Sequence, residues 1–328
     1  MGVAGRILAV LGLLLMAQQS LQLSTRHPLY STIQRISENA GNSFIAVIGK
    51  SSTTERAFLR SGDFETLPSN PYVLLAGRKI YIGTVSGAGV LYVTDDGTTI
   101  NAAIATQVVL DAFPVRLIIN VGSAGTVDNS LSIADVVVPT QVAFTANFNW
   151  LKYGSKKKGQ LKIGDYNIPE KGKNYLESLN FDPVKVYAPN STKTAFWLPF
   201  DPELLALASE TKVDLTKCLD ESCLSYQPKL VYGTRDSTAD IFYDNEAYRK
   251  YVNKKFKVSS VDRDAAAVLL VALSNGVPTV SIRGISHTAG GSEANAEFSY
   301  LGTENAVKFA IGLIEKLPSS SYLAMPNF

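Results

Sequence analysis

RLIINVGSAG, residues 116–125, is the stretch that decides the architecture. Leu117, Ile118, Ile119 and Val121 are aliphatic, and Asn120 is the one polar residue among them. A short apolar run of this kind reads as a strand buried on both faces, as in parallel sheets. It passes directly into Gly122-Ser123-Ala124-Gly125. There the glycines let the backbone approach a ligand, and successive N–H groups can form an anion-binding concavity. A tight strand-to-helix turn accounts for the same four residues equally well.

The pattern repeats on either side. FIAVIG (44–49), DVVVP (135–139), residues 230–232 and residues 279–285 read as further strands, and 72–75 with 79–85 as a hairpin around Gly77. Helical segments lie between them. Residues 98–113 predict a helix whose apolar face is Ile100, Ala103, Ile104, Val108 and Leu110. Residues 50–58 read as a turn entering a helix, and 202–211, 245–256 and 304–317 as helices. AAAVLLVALS (265–274) is apolar almost all round, so it predicts a buried helix. Alternating strands and helices predict an α/β domain on a largely parallel sheet. No internal repeat or linker divides residues 25–328, which read as one domain.

Residues 1–24 read differently. Arg6 precedes an apolar run, Ile7 to Ala17, and small and polar residues follow through Ser20 and Ser24. This is the pattern of a cleaved signal peptide. The run is shorter than the ~20 apolar residues a bilayer span needs, and no membrane association is expected of the mature chain. Cys218 and Cys223 fit an oxidising lumen, which favours a disulfide between them; two free thiols are the alternative. Asn190-Ser191-Thr192 is a glycosylation sequon, meaningful only in that compartment. The destination is a vacuole or the extracellular space. With a formal net charge of +2, the chain carries no field that would recruit nucleic acid. Lys156, Lys157 and Lys158 read as part of a solvated excursion over 152–170. The only histidines are His27 and His287, neither at ligand spacing from the cysteines, so no metal is expected.

Three segments concentrate polar groups at strand ends, where open α/β sheets bind ligands. They are Asn120 to Gly125, VDRDAAA (261–267) and RGISHTAG (283–290). In the second, Asp262 and Asp264 precede an apolar helix, and capping of its positive dipole end is the structural explanation. Taken in order, INVGSAG (119–125), IADVVVPTQV (133–142), VDRDAAA and RGISHTAG resemble the nucleoside phosphorylase/nucleosidase superfamily over about residues 44–317. YGTRDSTADIFYDNEAYRKYV (232–252) and GGSEANAE (290–297) look most like its plant branch of bark and vegetative storage proteins.

The resemblance implies a three-layer α/β/α domain whose twisted mixed sheet partly closes into a barrel. It implies cleavage of the N-ribosidic bond of purine nucleosides, cytokinin ribosides among them, with no cofactor and with phosphate as a co-substrate in the phosphorylases. It also implies a homo-oligomer. Asp264 matches the acid that binds the ribose hydroxyls, although the family has the longer Glu, and Arg263 replaces an apolar Met against the sugar. Gly122, Ser123, Ala124 and Gly125 match the groups around substrate and nucleophile. Glu55 matches, one residue out of register, the acid that activates water in nucleosidases. Phe242 and Trp150 are candidates for stacking on a base, and Arg283 for a structural place beside the site. Two departures stand out. Asn120 replaces an Arg of the phosphorylases, which favours water as nucleophile. His287 replaces the Asp that protonates the leaving base, a task only the imidazolium can perform. The expectation is therefore divided between a nucleoside-cleaving enzyme, a storage protein that has lost catalysis, and a binding protein that retains a nucleoside or purine base without turnover.

Overall fold

The structure is a computed structural model that describes residues 23–150, 179–291 and 295–317. Residues 1–22 of the expected signal peptide, the excursion expected over 152–170 and residues 292–294 of the GGSEANAE stretch lie outside the described residues, as does the Trp150 side chain.

In chain order the elements are α1 (Tyr30–Asn39), β1 (Phe44–Gly49), α2 (Ser52–Leu59), β2 (Phe64–Thr66), β3 (Tyr72–Leu75), β4 (Arg78–Val85), β5 (Ala88–Thr94), α3 (Thr99–Ala112), β6 (Val115–Thr126) and β7 (Val136–Phe144). There follow β8 (Phe148–Trp150), β9 (Leu179–Phe181), β10 (Val184–Ala188), β11 (Ser191–Ala195), β12 (Trp197–Pro199), α4 (Pro202–Glu210), β13 (Cys218–Leu219) and β14 (Ser222–Cys223). The chain continues through β15 (Leu230–Thr238), α5 (Glu246–Phe256), β16 (Ser260–Asp262), α6 (Ala265–Asn275), β17 (Thr279–Thr288) and α7 (Ser299–Lys316).

β6 is the hub. It pairs in parallel with β1 and β17 and antiparallel with β16. β17 pairs antiparallel with β7, β7 in parallel with β15, and β15 in parallel with β16. Those pairings return to β6, so β6, β17, β7, β15 and β16 close a five-stranded mixed ring. β1, β5, β4 and β2 extend the sheet away from it. Every residue of β1 is buried, because helices cover both faces. Ile45, Val47, Leu117, Ile119, Val280 and Ile282 face α7 and α4, in one core with Phe309 and Leu204. Ala46, Ile48 and Ile118 alternate to the other face and meet α3 and α6. The sheet layer between two helix layers confirms the three-layer expectation and its partly closed barrel.

Two local expectations are corrected. The expected apolar face of α3 is only partly the buried one: Ile100 is 72% exposed and Ile104 42%, Ala103, Val108 and Leu110 are partly buried against the core, and Ala102, Ala105, Thr106 and Val109 are buried. Small residues let α3 lie close against Ala267, Val268 and Ala272 of α6, so close approach selects the face rather than side-chain size. Gly122 to Gly125 is neither a turn nor a concavity. β6 runs extended through it, and neither glycine has positive φ. These glycines are required by crowding. A Cβ on Gly122 would lie 2.4 Å from Lys50 Cβ, and one on Gly125 would lie 2.7 Å from His287 Nε2.

Cys218 and Cys223 are joined by a disulfide that closes the β13–β14 ribbon. Asn190 is exposed on the turn between β10 and β11. Among the described residues no helix is long and apolar enough to cross a membrane.

Candidate active site

The carboxyl ends of β6, β16 and β17 meet the N-terminus of α6, and a fully buried guanidinium stands at the junction. Arg283 of β17 is 0% exposed. Its Nε lies 2.9 Å from Asp262 and 3.7 Å from Asp236, and its Nη2 donates to Asp264 Oδ2 at 3.0 Å. Nη2 also donates to the Asn120 side-chain oxygen, and Asn120 Nδ2 donates to Asp264 Oδ2 at 2.9 Å and to the Ile48 carbonyl at 3.2 Å. Asn120 therefore holds both partners of the ion pair, a task its two-sided amide performs and an arginine would not.

The two carboxylates before α6 divide the work. Asp262 Oδ1 accepts the N–H groups of Asp264 and Ala265 at 3.2 and 3.3 Å and the Thr238 hydroxyl at 2.5 Å, so Asp262 caps the helix. Asp264 makes no cap bond. Its Oδ2 is held by Asn120 and Arg283, and its buried Oδ1 accepts no hydrogen bond from any described residue. A buried carboxylate oxygen without a donor is costly, and a ribose hydroxyl is a group that would satisfy it.

Three aspartates around one arginine leave an excess of acid. Burial, and then Asp262 beside it, push the Asp236 carboxyl well above the usual range. Asp95, just past β5, is likewise pushed well up by burial and by Asp264, while its Oδ1 accepts the Gly97 N–H at 2.6 Å. Burial alone would lower Arg283, but Asp262, Asp264 and Asp236 together hold it above its ordinary value.

At the end of β17, Ser286 Oγ donates to the Ala124 carbonyl at 3.2 Å and stands 2.9 Å from His287 Nδ1. With the hydroxyl proton committed to Ala124, Nδ1–H is the donor of that contact, and the neutral ring presents Nε2 without a proton. Burial first, and Lys50 second, lower the His287 pKa. Phe242, 68% exposed, stacks on the ring at 5.3 Å between centroids.

Of the residues the sequence singled out, Asn120, Asp264 and Arg283 come together in direct contact. Ser123, Ala124 and Gly125 line β6 beside them, and His287 with Phe242 closes one side. Arg263 points outward, half exposed, with Nε 3.8 Å from Asp240. Glu55 accepts from Tyr81 Oη at 3.1 Å and Thr94 Oγ1 at 2.7 Å, so both its oxygens are engaged by β4 and the end of β5. Sequence reasoning missed Asp95, Asp236 and Lys50. Lys50 follows β1 and donates from Nζ to the Ser123 carbonyl at 2.6 Å. The available signal was position: Lys50 and Asp95 each stand immediately after a strand, where ligands are met.

A mixed sheet closed into a five-stranded ring between helix layers, with this acid–arginine set at its strand ends, defines the nucleoside phosphorylase fold. The chain belongs to the phosphorylase superfamily, whose family model matches residues 44–317. It is 34% identical over 308 residues to bark storage protein A of Populus deltoides, covering 93% of this chain and 98% of that one. A 5'-methylthioadenosine/S-adenosylhomocysteine nucleosidase of Listeria innocua is 28% identical over 253 residues, covering 77% and 91%. Among solved structures, the nucleosidase of Colwellia psychrerythraea in complex with adenine superposes with a TM-score of 0.60 at 20% identity, covering 85% of this chain and 97% of that one. The futalosine hydrolase of Helicobacter pylori gives 0.59 at 20%, covering 84% and 99%. Likeness at that identity establishes the fold.

Proposed function

We propose that the chain cleaves the N-glycosidic bond of purine nucleosides in the secretory pathway, as a homo-oligomer and without a cofactor. One observation carries the reading: Asp264 is anchored through Oδ2 by Asn120 and Arg283 while buried Oδ1 has no described donor. In this reading Oδ1 accepts a ribose hydroxyl. As the C1'–N bond breaks, the sugar gains positive charge and the base negative charge. The Asp264 carboxylate then favours the cation, and imidazolium His287 gives Nε2–H to the base. Phe242, stacked on His287 and exposed, offers a face for the purine. The disulfide, the exposed sequon at Asn190 and the signal-peptide pattern support the compartment.

Base release by the purified mature protein tests this. Adenosine, inosine, methylthioadenosine and a cytokinin riboside are the substrates, at pH 5.5 and 7.5. Release of free base from any of them is the expected result, and none at either pH would overturn it.

His287 favours a second reading. A ring whose pKa is pushed down is a poor acid at neutral pH, and the likeness to bark storage protein A spans nearly the whole chain. A storage protein in this fold would retain nucleoside or base without turnover and accumulate far beyond catalytic need. Tissue protein quantitation and calorimetry with adenosine and adenine separate the readings.

A further inference from the structure

Asp95, at the end of β5, is a buried acid that the chemistry above leaves unused. It is 1% exposed. Its N–H donates to the Gly49 carbonyl at 2.9 Å, which seats it beside the end of β1. Its Oδ1 accepts the Gly97 N–H at 2.6 Å and shapes the turn before α3, where Asp96 and Gly97 have positive φ. That structural task uses one oxygen. The other, Oδ2, is buried and accepts no hydrogen bond from any described residue. Among the described residues no cation lies within ion-pair distance of the carboxyl. Strand pairing places Asp95 on the same face as the Asp264 anchor. Val93, Ile48 and Ile118 all point to the layer of α3 and α6, and Asp95 and Asn120 stand two residues beyond Val93 and Ile118. Asn120 donates to the Ile48 carbonyl at 3.2 Å and to Asp264 Oδ2 at 2.9 Å. The end of β1 therefore lies between Asp95 and the Asn120–Asp264 pair, and the field of Asp264 reaches Asp95. Asp236 and Asp262 turn their Oδ2 atoms to Arg283. Asp264 Oδ1 and Asp95 Oδ2 have no such partner.

We propose that Asp95 is a second sugar-binding residue, and that Asp95 and Asp264 divide the two ring hydroxyls of a ribose between them, which makes the site selective for ribonucleosides over deoxyribonucleosides. The inference rests on the reading of the site as one that binds a nucleoside and breaks its glycosidic bond. Asn120 and Arg283 occupy Asp264 Oδ2, so Asp264 has one oxygen left and serves one hydroxyl. A ribose carries two, on adjacent carbons, and Asp95 Oδ2 is the remaining buried oxygen on that face. A hydroxyl has one donor and two acceptor lone pairs, so it satisfies the Asp95 carboxyl in either protonation state. Without a ligand, two buried carboxyl oxygens stand unpaired, each at a cost. A diol supplies both missing partners at once. A sugar lacking one hydroxyl leaves one carboxyl buried and unpaired, and a polar site rejects such an analogue most strongly.

The test compares adenosine, 2'-deoxyadenosine and 3'-deoxyadenosine on the mature protein and on Asp95→Leu, which is close in shape and has no oxygens. Asp95→Ala serves should the leucine variant not fold. Each pair is read as kcat/KM where base is released and as Kd by calorimetry where it is not. Any effect through the Gly97 turn falls on all three ligands alike. Beyond it, the substitution should cost adenosine and one analogue about tenfold each and spare the other analogue, which lacks the hydroxyl that Asp95 holds. Equal losses on all three would show that Asp95 only shapes the turn, and would overturn the inference. So would an unchanged value for adenosine, or a wild-type protein that neither binds nor cleaves any of the three. The expected pattern in Kd without base release upholds the sugar contact and removes the cleavage reading. Base release with equal losses does the opposite.

Discussion

At the scale of single residues, His287, the proposed proton donor, should set the pH at which base is released. Its Nδ1–H is engaged by Ser286, so only the doubly protonated ring can donate from Nε2. Burial and Lys50 hold the pKa below the ordinary value of about 6.5. The cationic fraction therefore grows only as pH falls below that value, and base release should rise from pH 7.5 to 5 in a purified-enzyme profile. His287→Asp should remove that acid dependence and raise release at pH 7.5 by about 10²-fold, within the range general acid catalysis contributes. A flat profile in the wild type would show that His287 does not deliver the proton. Asp264 makes a second prediction. Asp264→Asn keeps the shape and loses a charge-assisted bond to the sugar, which should lower kcat/KM about 10- to 100-fold, the value of about 1.5–3 kcal/mol for such bonds. An unchanged kcat/KM would remove Asp264 from the sugar site. Both residues were legible in the sequence because they stand in motif segments. Lys50 and Asp95 were not, since a lone charge after a strand is indistinguishable from a solvated one until the opposing glycines show how tightly it is enclosed.

At the scale of elements, the strands were readable because burial on both faces forces continuous aliphatic runs, as in Phe44–Gly49. β5 was missed because Ser86 and Gly87, both at positive φ, form a hairpin turn that looks like a break in the sequence. The helix α3 shows a different limit. Periodicity found its extent within a residue at each end but placed Ile100 and Ile104 on the core face, whereas both are exposed and Ala102, Ala105 and Val109 are the residues buried there. The structure predicts that Ala105→Leu lowers unfolding free energy by about 1–3 kcal/mol through overpacking. Ile100→Ala, on the exposed face, should stay within about 0.5 kcal/mol. Urea unfolding of both variants checks the assignment, and the reverse order of effects would restore the large-residue face. The Asp262–α6 junction is also an element-scale result. Two adjacent acids looked interchangeable, yet only Asp262 reaches the helix N–H groups, which frees Asp264.

At the scale of the whole molecule, closing β6, β17, β7, β15 and β16 into a ring buries acids that an open sheet would leave wet. Asp236 on β15 and Asp262 on β16 are neighbours across that ring with Arg283 between them. No sequence pattern announces this, since the contact exists only once five strands distant in sequence have met. It has a consequence for stability. The Asp236 carboxyl is pushed well above the usual range by burial and by Asp262, whereas in the unfolded chain it titrates near 3.9. Between those two values the folded state holds a proton that the unfolded state has released, so this group's contribution to stability falls as pH rises through that window. Asp95, raised by burial and Asp264, acts in the same sense. His287, lowered by burial, acts in the opposite sense between its folded value and about 6.5, where the unfolded chain binds the extra proton. Asp236→Asn removes one titration and keeps the shape. Relative to the wild type, its unfolding free energy should therefore increase as pH rises above about 3.9 toward the raised folded value. Chemical denaturation across that range measures the difference directly. A difference independent of pH would mean that the Asp236 carboxyl is not raised in the fold.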